Sequence, residues 1–249
     1  MKSYLFIIIS ICICSSCDLE ATKDCWQSKG DIITRSYNIS GLKRITIREN
    51  IRLEITYSEN EKLEAVGGKS HLDHLTILEN DNGFEFAAEK LCKTGFSTAP
   101  ITLKLYTSDL NYIRNSSQFD VISTNRLEFS NLTLIAEEFN DPEALNLGSF
   151  KLSVQSERIR ITGTGFSNFE IDGETKTFNF GTYSGSGSIL ARNLVAKDVV
   201  FHHRSFSDAV VNPIESLKGE IRSTGNLISI KKPPVVEVKE FYTGRLIFE

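Results

Sequence analysis

The sequence predicts an all-β fold, a right-handed parallel β-helix or similar solenoid with an N-terminal set of strands and one short helix. Short runs that alternate apolar and polar residues recur along the chain, and this alternation is typical of half-buried strands. From Val121 onward the runs repeat at a drifting period of about twenty residues. Long helical patterns between the runs are missing, which argues against an α/β fold. A β-sandwich of many short strands is the alternative.

Strand-like runs also precede the repeat, and each alternates apolar and polar residues. They are residues 43–48, 51–57, 63–66, 75–78, 84–87 and 101–106. The fourth and fifth flank an Asn-Gly dipeptide, which predicts a hairpin. Residues 67–75 predict the one short helix, with Ser70 as its cap and with Leu72 and Leu75 facing the sheet.

The repeat itself is clearest between residues 162 and 194. The alternation there places Phe169 and Ile171 on one strand face, and Phe178 and Phe180 repeat the arrangement, so we expect these side chains in the core. Glycine and serine residues between the runs predict tight corners. The repeats are predicted to begin at Val121, Leu145, Phe169, Ile189, Val210, Leu227 and Leu246.

Composition sets broad limits on the class of protein. The chain has 249 residues, 40% of them hydrophobic and 24% charged, with a formal net charge of −4. Basic residues do not form a stripe interleaved with aromatics, so the sequence predicts no nucleic-acid partner. We expect residues 31–249 to form a single domain.

The N-terminus has the features of a lipoprotein signal peptide, assigned to residues 1–16. Lys2 precedes an apolar stretch, residues 4–14, that is too short to span a bilayer as a helix. Two serines come directly before Cys17, as in a bacterial lipobox, so Cys17 is predicted to become the lipidated first residue. Residues 17–30 then form a tether. An ordinary secretory signal cut nearby is the alternative, and either signal directs export.

Two further cysteines, Cys25 and Cys92, remain in the exported chain. An even pair in an oxidising compartment predicts a disulfide that joins the N-terminal segment to the first strands. Two separate buried thiols are the alternative, because the sequence does not give the distance between them.

Several of these features together resemble the head GIN domain family. They are the first strands, the turn and helix at 67–75, the Ser/Gly/Thr corners and the ending 223–245. Members of this family are described as auto-transporter adhesins and are common among Gram-negative envelope lipoproteins. The resemblance covers roughly residues 31–249 and implies a β-helix-like fold and an envelope location. The family's corners are kept at 185–187, while 143–145 and 205–208 depart from them. The resemblance supplies no catalytic residues.

Sequence motifs give little sign of catalysis or of a metal centre. The chain has no Gly-x-Ser-x-Gly elbow, phosphate loop or dinucleotide fingerprint, so no cofactor is predicted. His202 and His203 are adjacent in a strand and should point to opposite faces, which separates their rings. His71 and His74 could share a helix face but lack a third ligand. We therefore predict no metal site from histidines.

Acidic residues are the remaining candidates for chemistry. Glu137, Glu138, Asp141 and Glu143 could offer oxygen ligands to calcium, although they lack a Gly-Asp loop pattern and a solvated loop is the alternative. Other carboxylates are too scattered to define a hydrolytic pair. These are Asp172, Glu174, Asp208 and Glu215.

The candidate binding surface lies in residues 198–207. It consists of Phe201, His203, Arg204 and Phe206, because aromatic rings beside an arginine suit stacking on sugars or docking on a protein. The alternative is that Phe201 and Phe206 belong to the core of their repeats.

These observations predict a non-catalytic, lipid-anchored protein of the cell envelope, on the periplasmic or the exposed face of the outer membrane. Its partners would be the membrane, through the N-terminal lipid, and a glycan or an envelope protein bound on a rigid solenoid surface. One alternative is a polysaccharide-active enzyme, by analogy with other β-helices. Another is a structural or sensing protein that docks an envelope partner through an exposed sheet or terminal repeat.

Overall fold

The computed structural model describes residues 30–81, 83–88 and 99–249. The predicted signal peptide, the tether up to residue 29 and the predicted lipidated Cys17 lie outside these residues, and so does the predicted Cys25–Cys92 disulfide. Among the described residues, none of the helical structure has the length and apolar character needed to cross a membrane.

Strands dominate the described part of the chain, as predicted. The first part contains β1 (Ile32–Tyr37), β2 (Arg44–Ile47), β3 (Ile51–Tyr57), β4 (Lys62–Gly68), α1 (Lys69–Leu72), β5 (Thr76–Asn80), β6 (Gly83–Ala87), β7 (Ile101–Thr107), β8 (Tyr112–Asn115), β9 (Val121–Ser123) and β10 (Asn131–Ala136). The second part contains β11 (Phe150–Gly163), β12 (Phe169–Thr182), β13 (Ile189–His203), β14 (Ala209–Ile221), β15 (Leu227–Ser229), β16 (Val235–Glu240) and β17 (Leu246–Phe248).

The strands form one strongly curled, mixed sheet. Strand pairing gives a first stack in the order β1–β4–β7–β3–β9–β11–β12–β13–β14–β15–β17. It gives a second stack in the order β5–β6–β2–β8–β10–β11–β12–β13–β14–β16. The long strands β11–β14 belong to both stacks, so each repeat turns from the first stack into the second. The all-β prediction is confirmed, but the sheet is not wholly parallel, since β1–β4, β4–β7 and β5–β6 are antiparallel.

Each repeat places one apolar residue above the same position of its neighbour. Phe150 pairs with Phe169, which pairs with Ile189, and the series continues through Ala209, Leu227 and Leu246. Two predicted starting points were therefore misplaced. Leu145 lies in a loop formed by residues 137–149, which interrupts the repeat between β10 and β11. The second is Val210, since the strand begins one residue earlier, at Ala209, which faces the core.

The core consists largely of leucine, isoleucine, valine and phenylalanine side chains, and the alternation predicted several of them. Phe169, Ile171, Phe178 and Phe180 are each at most 1% exposed. The Phe150 and Phe169 rings stack with centroids 4.9 Å apart, close to the spacing of neighbouring strands. Parallel pairing thus places the phenylalanines of two neighbouring repeats in ring contact, which removes apolar area from water.

The predicted N-terminal helix is shorter than the segment 67–75. It is a single turn, Lys69–Leu72, and Gly68 rather than Ser70 occupies its N-cap position. Leu72 is buried and Leu75 packs against the core, as predicted. The predicted hairpin is confirmed by the antiparallel pairing of β5 with β6.

Candidate functional site

The structure does not bring the four residues of the candidate surface onto one face. Phe201 and His203 are 4% and 0% exposed, because they occupy the inward positions at the end of β13. Arg204 and Phe206 lie in the following turn and are exposed. Only these two can contribute to a surface.

The adjacent histidines of β13 occupy different environments, as the strand alternation predicts. The Nδ1 atom of His203 lies 3.0 Å from Oγ1 of Thr182. Burial lowers the pKa of His203 to about 4, so the ring is neutral at pH 7. Burial also lowers the pKa of His202, whose ring stacks on Tyr183 on the outer face. In the described part of the chain, no three His, Cys, Asp or Glu side chains are grouped to hold a metal ion.

A cavity of about 490 Å³ lies on the outer face of the second stack, and we call it the groove. Its floor comes from outward residues of β2, β8 and β10, and the loop 137–149 forms one wall. Arg44, Thr46 and Arg48 reach the floor because Ile45 and Ile47, which alternate with them, are buried. The other residues used below that line the groove are Glu85, Tyr112, Arg114, Glu137, Phe139, Asn140 and Asp141.

A buried ion pair attaches the loop to the sheet. Nη1 of Arg114 lies 2.8 Å from Oε1 of Glu137, and Nη2 donates to the Glu137 backbone carbonyl at 2.7 Å. The carboxylate also accepts from the backbone N–H groups of Phe139 and Asn140 and from the Asn140 side chain. Burial would raise the pKa of Glu137, but these hydrogen bonds outweigh it and hold the pKa below its ordinary value. Glu137 is therefore an ionised anchor of the loop.

A second arginine bridges the two walls of the groove. Nε of Arg48 lies 2.6 Å from Oε1 of Glu85 on β6, and Nη1 lies 2.7 Å from Oδ2 of Asp141 in the loop. Arg44 places its guanidinium 3.9 Å from the centre of the Tyr112 ring. Among the described residues that line the groove, three arginines face three carboxylates, so their formal charges cancel. The groove is thus densely polar and formally neutral.

This arrangement bears on the predicted calcium ligands. The Glu137 and Asp141 oxygens already contact Arg114 and Arg48, so a cation at this position would have to compete with two guanidinium groups. The other acids considered above are in separate contacts. Glu174 lies 3.5 Å from Arg126, and Asp208 accepts from the Asn226 backbone.

Aromatic rings continue the loop wall of the groove, and we call Phe139, Tyr183 and His202 the aromatic cluster. The Phe139 and Tyr183 rings meet edge to face with centroids 6.0 Å apart, and Tyr183 stacks on His202 at 5.1 Å. Gly181 makes this possible, because a Cβ there would lie 2.5 Å from the Tyr183 ring. Phe139 is 60% exposed, so the cluster offers a ring to solvent at the edge of the groove.

Residues 41–233 match the family model described as "Putative auto-transporter adhesin, head GIN domain". The chain belongs to the head GIN domain family. The resemblance predicted from the sequence is confirmed, and it accords with a protein of the cell envelope or surface. A comparison with curated proteins gives no match.

Three solved structures resemble this head GIN protein, and each alignment covers 88% of this chain and 97% of the other. A "putative adhesin" from Bacteroides fragilis NCTC 9343 has a TM-score of 0.77 and 18% sequence identity. A "putative lipid binding protein" from Parabacteroides distasonis ATCC 8503 has a TM-score of 0.62 and 15% identity. A "putative adhesin" from Parabacteroides merdae ATCC 43184 has a TM-score of 0.60 and 15% identity. At these identities the likeness establishes the fold alone.

The groove of this head GIN protein was missed by the sequence reasoning. Alternation along β2 could have marked Arg44 and Arg48 as outward residues. Their partners come from distant segments, and no local pattern places Glu85 and Asp141 on either side of Arg48.

Proposed function

We propose that this head GIN protein is a non-catalytic, lipid-anchored envelope protein that binds a neutral glycan in the groove. The observation that carries the proposal is the set of mutually paired arginines and carboxylates beside the exposed ring of Phe139. Sugar hydroxyls donate hydrogen bonds to carboxylates and accept them from guanidinium groups, while the C–H faces of sugar rings pack on aromatic rings. Membership in a family described as adhesins supports a binding role.

The charge balance favours a neutral ligand over an ionic one. The guanidinium of Arg48 is bonded on both sides by carboxylates, and Arg114 is bonded by Glu137. An anionic ligand at Arg48 or Arg114 would therefore have to displace a carboxylate, and a cationic ligand at Glu137 or Asp141 would have to displace an arginine. A sugar hydroxyl can use the remaining donor and acceptor positions without breaking a pair.

Rigidity supports binding at this site. Arg44 and Arg114 stand on strands of a hydrogen-bonded stack, Arg48 directly follows β2, and the ion pairs already fix the two guanidinium groups that hold the loop. Groups that are ordered before binding lose little conformational entropy when a ligand arrives. The same pairing argues against Glu137 as the general acid of a hydrolase, because a general acid needs a pKa near the working pH and that of Glu137 is lowered.

The proposal also includes a lipid anchor, a disulfide and the handedness of the repeats. Cys17 would carry the lipid, and several acyl chains would give stable anchoring. Cys25 and Cys92 would pair in the oxidising compartment outside the cytoplasm. The repeats from β11 onward would wind with the right-handed sense that parallel crossovers prefer.

An array of neutral, anionic and cationic oligosaccharides, probed with the full-length protein in detergent, tests the ligand class. The proposal predicts that neutral oligosaccharides retain the protein. Binding should change little between roughly 50 and 500 mM salt, a range over which exposed charge interactions become screened. Exclusive, salt-sensitive binding to anionic oligosaccharides would contradict it. Release of shorter sugars from a bound oligosaccharide would instead identify an enzyme.

A further inference from the structure

The turns that follow the second stack enclose buried polar atoms that neither the groove nor the apolar core uses. Within the described residues, seven buried side-chain nitrogen or oxygen atoms have no hydrogen-bond partner, and six of them lie on this side of the repeat. They are Ser116 Oγ, Asn146 Oδ1 and Nδ2, Thr164 Oγ1, Ser167 Oγ and His203 Nε2, and we call them the polar row. Their residues are each at most 3% exposed.

Backbone pairing stacks these residues in successive repeats. Gly148 donates to the Ser117 carbonyl, which brings the strand end at 115–117 against the loop that contains Asn146. Phe166 donates to the Asn146 carbonyl, so the turn 164–168 lies directly on that loop. Neighbouring strands in such a stack are about 4.8 Å apart, a distance that one water molecule can bridge between side chains.

The upper end of the row follows from the sheet register. Gly163, which precedes Thr164, pairs with Thr182, and Thr182 pairs with His203. Thr182 Oγ1 shares a hydrogen bond with Nδ1 of His203, whereas the ring Nε2 has no hydrogen-bond partner within the described residues. The row therefore extends from Ser116 to His203 over five levels, and four of them supply its atoms, since Thr182 is bonded to His203 and contributes none.

The chemistry of the row fits a small dipolar ligand. Hydroxyl groups donate and accept, and the Asn146 amide offers one acceptor and two donors. The six atoms belong to uncharged groups, and the nearby Glu137 is already engaged by Arg114, so an ion would find no compensating charge. In native proteins, ordered water is the usual partner of buried polar groups that lack a protein partner.

We infer that the turn side of the repeat encloses a row of ordered waters, bonded to Asn146, Thr164 and Ser167 and ending at Ser116 and His203. The waters also have a structural consequence for the groove. Asn146 has φ +45°, a conformation that residues other than glycine rarely adopt. Waters bonded to both atoms of its amide would hold this residue, and with it the loop 137–149, against the sheet.

Two isosteric variants test the inference by the sign of their effect. If waters are present, Thr164→Val and Ser167→Ala each remove a water's partner, and the melting temperature falls by roughly 2–4 °C. If the hydroxyls are dry, their removal relieves an unsatisfied polar group, and an unchanged or higher melting temperature would overturn the inference. Thr133→Val is the control, because Thr133 is a partly exposed residue on the outer face of β10.

A second measurement needs no variant. Oxygen-17 magnetic relaxation dispersion of the wild-type protein in H₂¹⁷O detects waters that stay bound for longer than nanoseconds. The inference predicts a clear dispersion from long-lived internal waters, reduced in amplitude by Thr164→Val. A wild-type dispersion without an internal-water component would overturn it.

Discussion

Arg114 and Glu137 form a buried ion pair that joins β8 to the loop 137–149, with side chains only 9% and 3% exposed. The arginine contacts both the carboxylate and the backbone carbonyl of Glu137, so it fixes the loop at its first residue. The loop in turn supplies Asp141 to Arg48 and Phe139 to the aromatic cluster. The shape of the groove therefore depends on this pair.

Arg114→Ala is expected to lower the free energy of unfolding by about 3–5 kcal/mol, because it leaves the Glu137 carboxylate buried without its partner. Urea denaturation measures this loss. Lys43→Ala is the control, since Lys43 and Asp109 form a pair that is more than half exposed and should contribute less than about 1 kcal/mol. Equal losses for the two variants would show that the buried pair does not anchor the loop.

The stability of the protein should fall as the pH is lowered from 6.5 to about 4, in part because of His203. Its pKa is lower in the folded state than the ordinary 6.5, so the unfolded chain binds more protons in this window and acid favours unfolding. The shift corresponds to roughly 3 kcal/mol. Denaturation midpoints measured across this window should fall less steeply for His203→Gln than for wild type. An identical slope for the two proteins would contradict the assignment.

Two glycines should respond differently to alanine. In Gly181→Ala the new Cβ meets the Tyr183 ring, which can swing away, so the melting temperature should hardly change while the stacking on His202 is lost. In Gly185→Ala the Cβ would lie 2.1 Å from the Gly165 carbonyl oxygen at φ +86°, so the melting temperature should fall by several degrees. Thermal melts and the NMR ring-current shifts of His202 distinguish these outcomes. A similar loss of stability in both variants would refute the contrast.

The lipid anchor is tested by cell fractionation. Cys17→Ala should leave the membrane fraction, because acyl chains attached to this cysteine would be lost. Cys25→Ala is the control and should stay membrane-bound, since Cys25 lies in the predicted mature chain and is not the lipidated residue. Retention of Cys17→Ala in membranes at the wild-type level would exclude this anchor.

Local alternation predicted the core well, because it depends only on neighbouring residues. Phe169 and Phe180 are buried as predicted. Alternation also places Phe201 and His203 on one face, but it does not say which face is inside, and the outward choice failed for this pair. Which of the two faces points inward is set by the register with adjacent repeats, and the sequence of one strand does not contain that register.

Features that depend on distant pairing could not be predicted. The loop 137–149 has no apolar period, so the starting point at Leu145 was misplaced by five residues from Phe150. Arg48 and Asp141 are 93 residues apart, and their contact depends on β2 pairing with β6 and β8. The groove is therefore a product of sheet order rather than of a local motif.

The groove and its aromatic edge are proposed to bind a neutral glycan. The most direct measurement is calorimetric titration of the best-bound neutral oligosaccharide into wild type, Phe139→Ala and Phe166→Ala. Both phenylalanines are similarly exposed, at 60% and 64%, but Phe166 lies outside the groove. We expect Phe139→Ala to lose affinity by about tenfold, the size expected when a stacked ring is removed, and Phe166→Ala to keep the wild-type affinity. Equal affinities for all three proteins would contradict it.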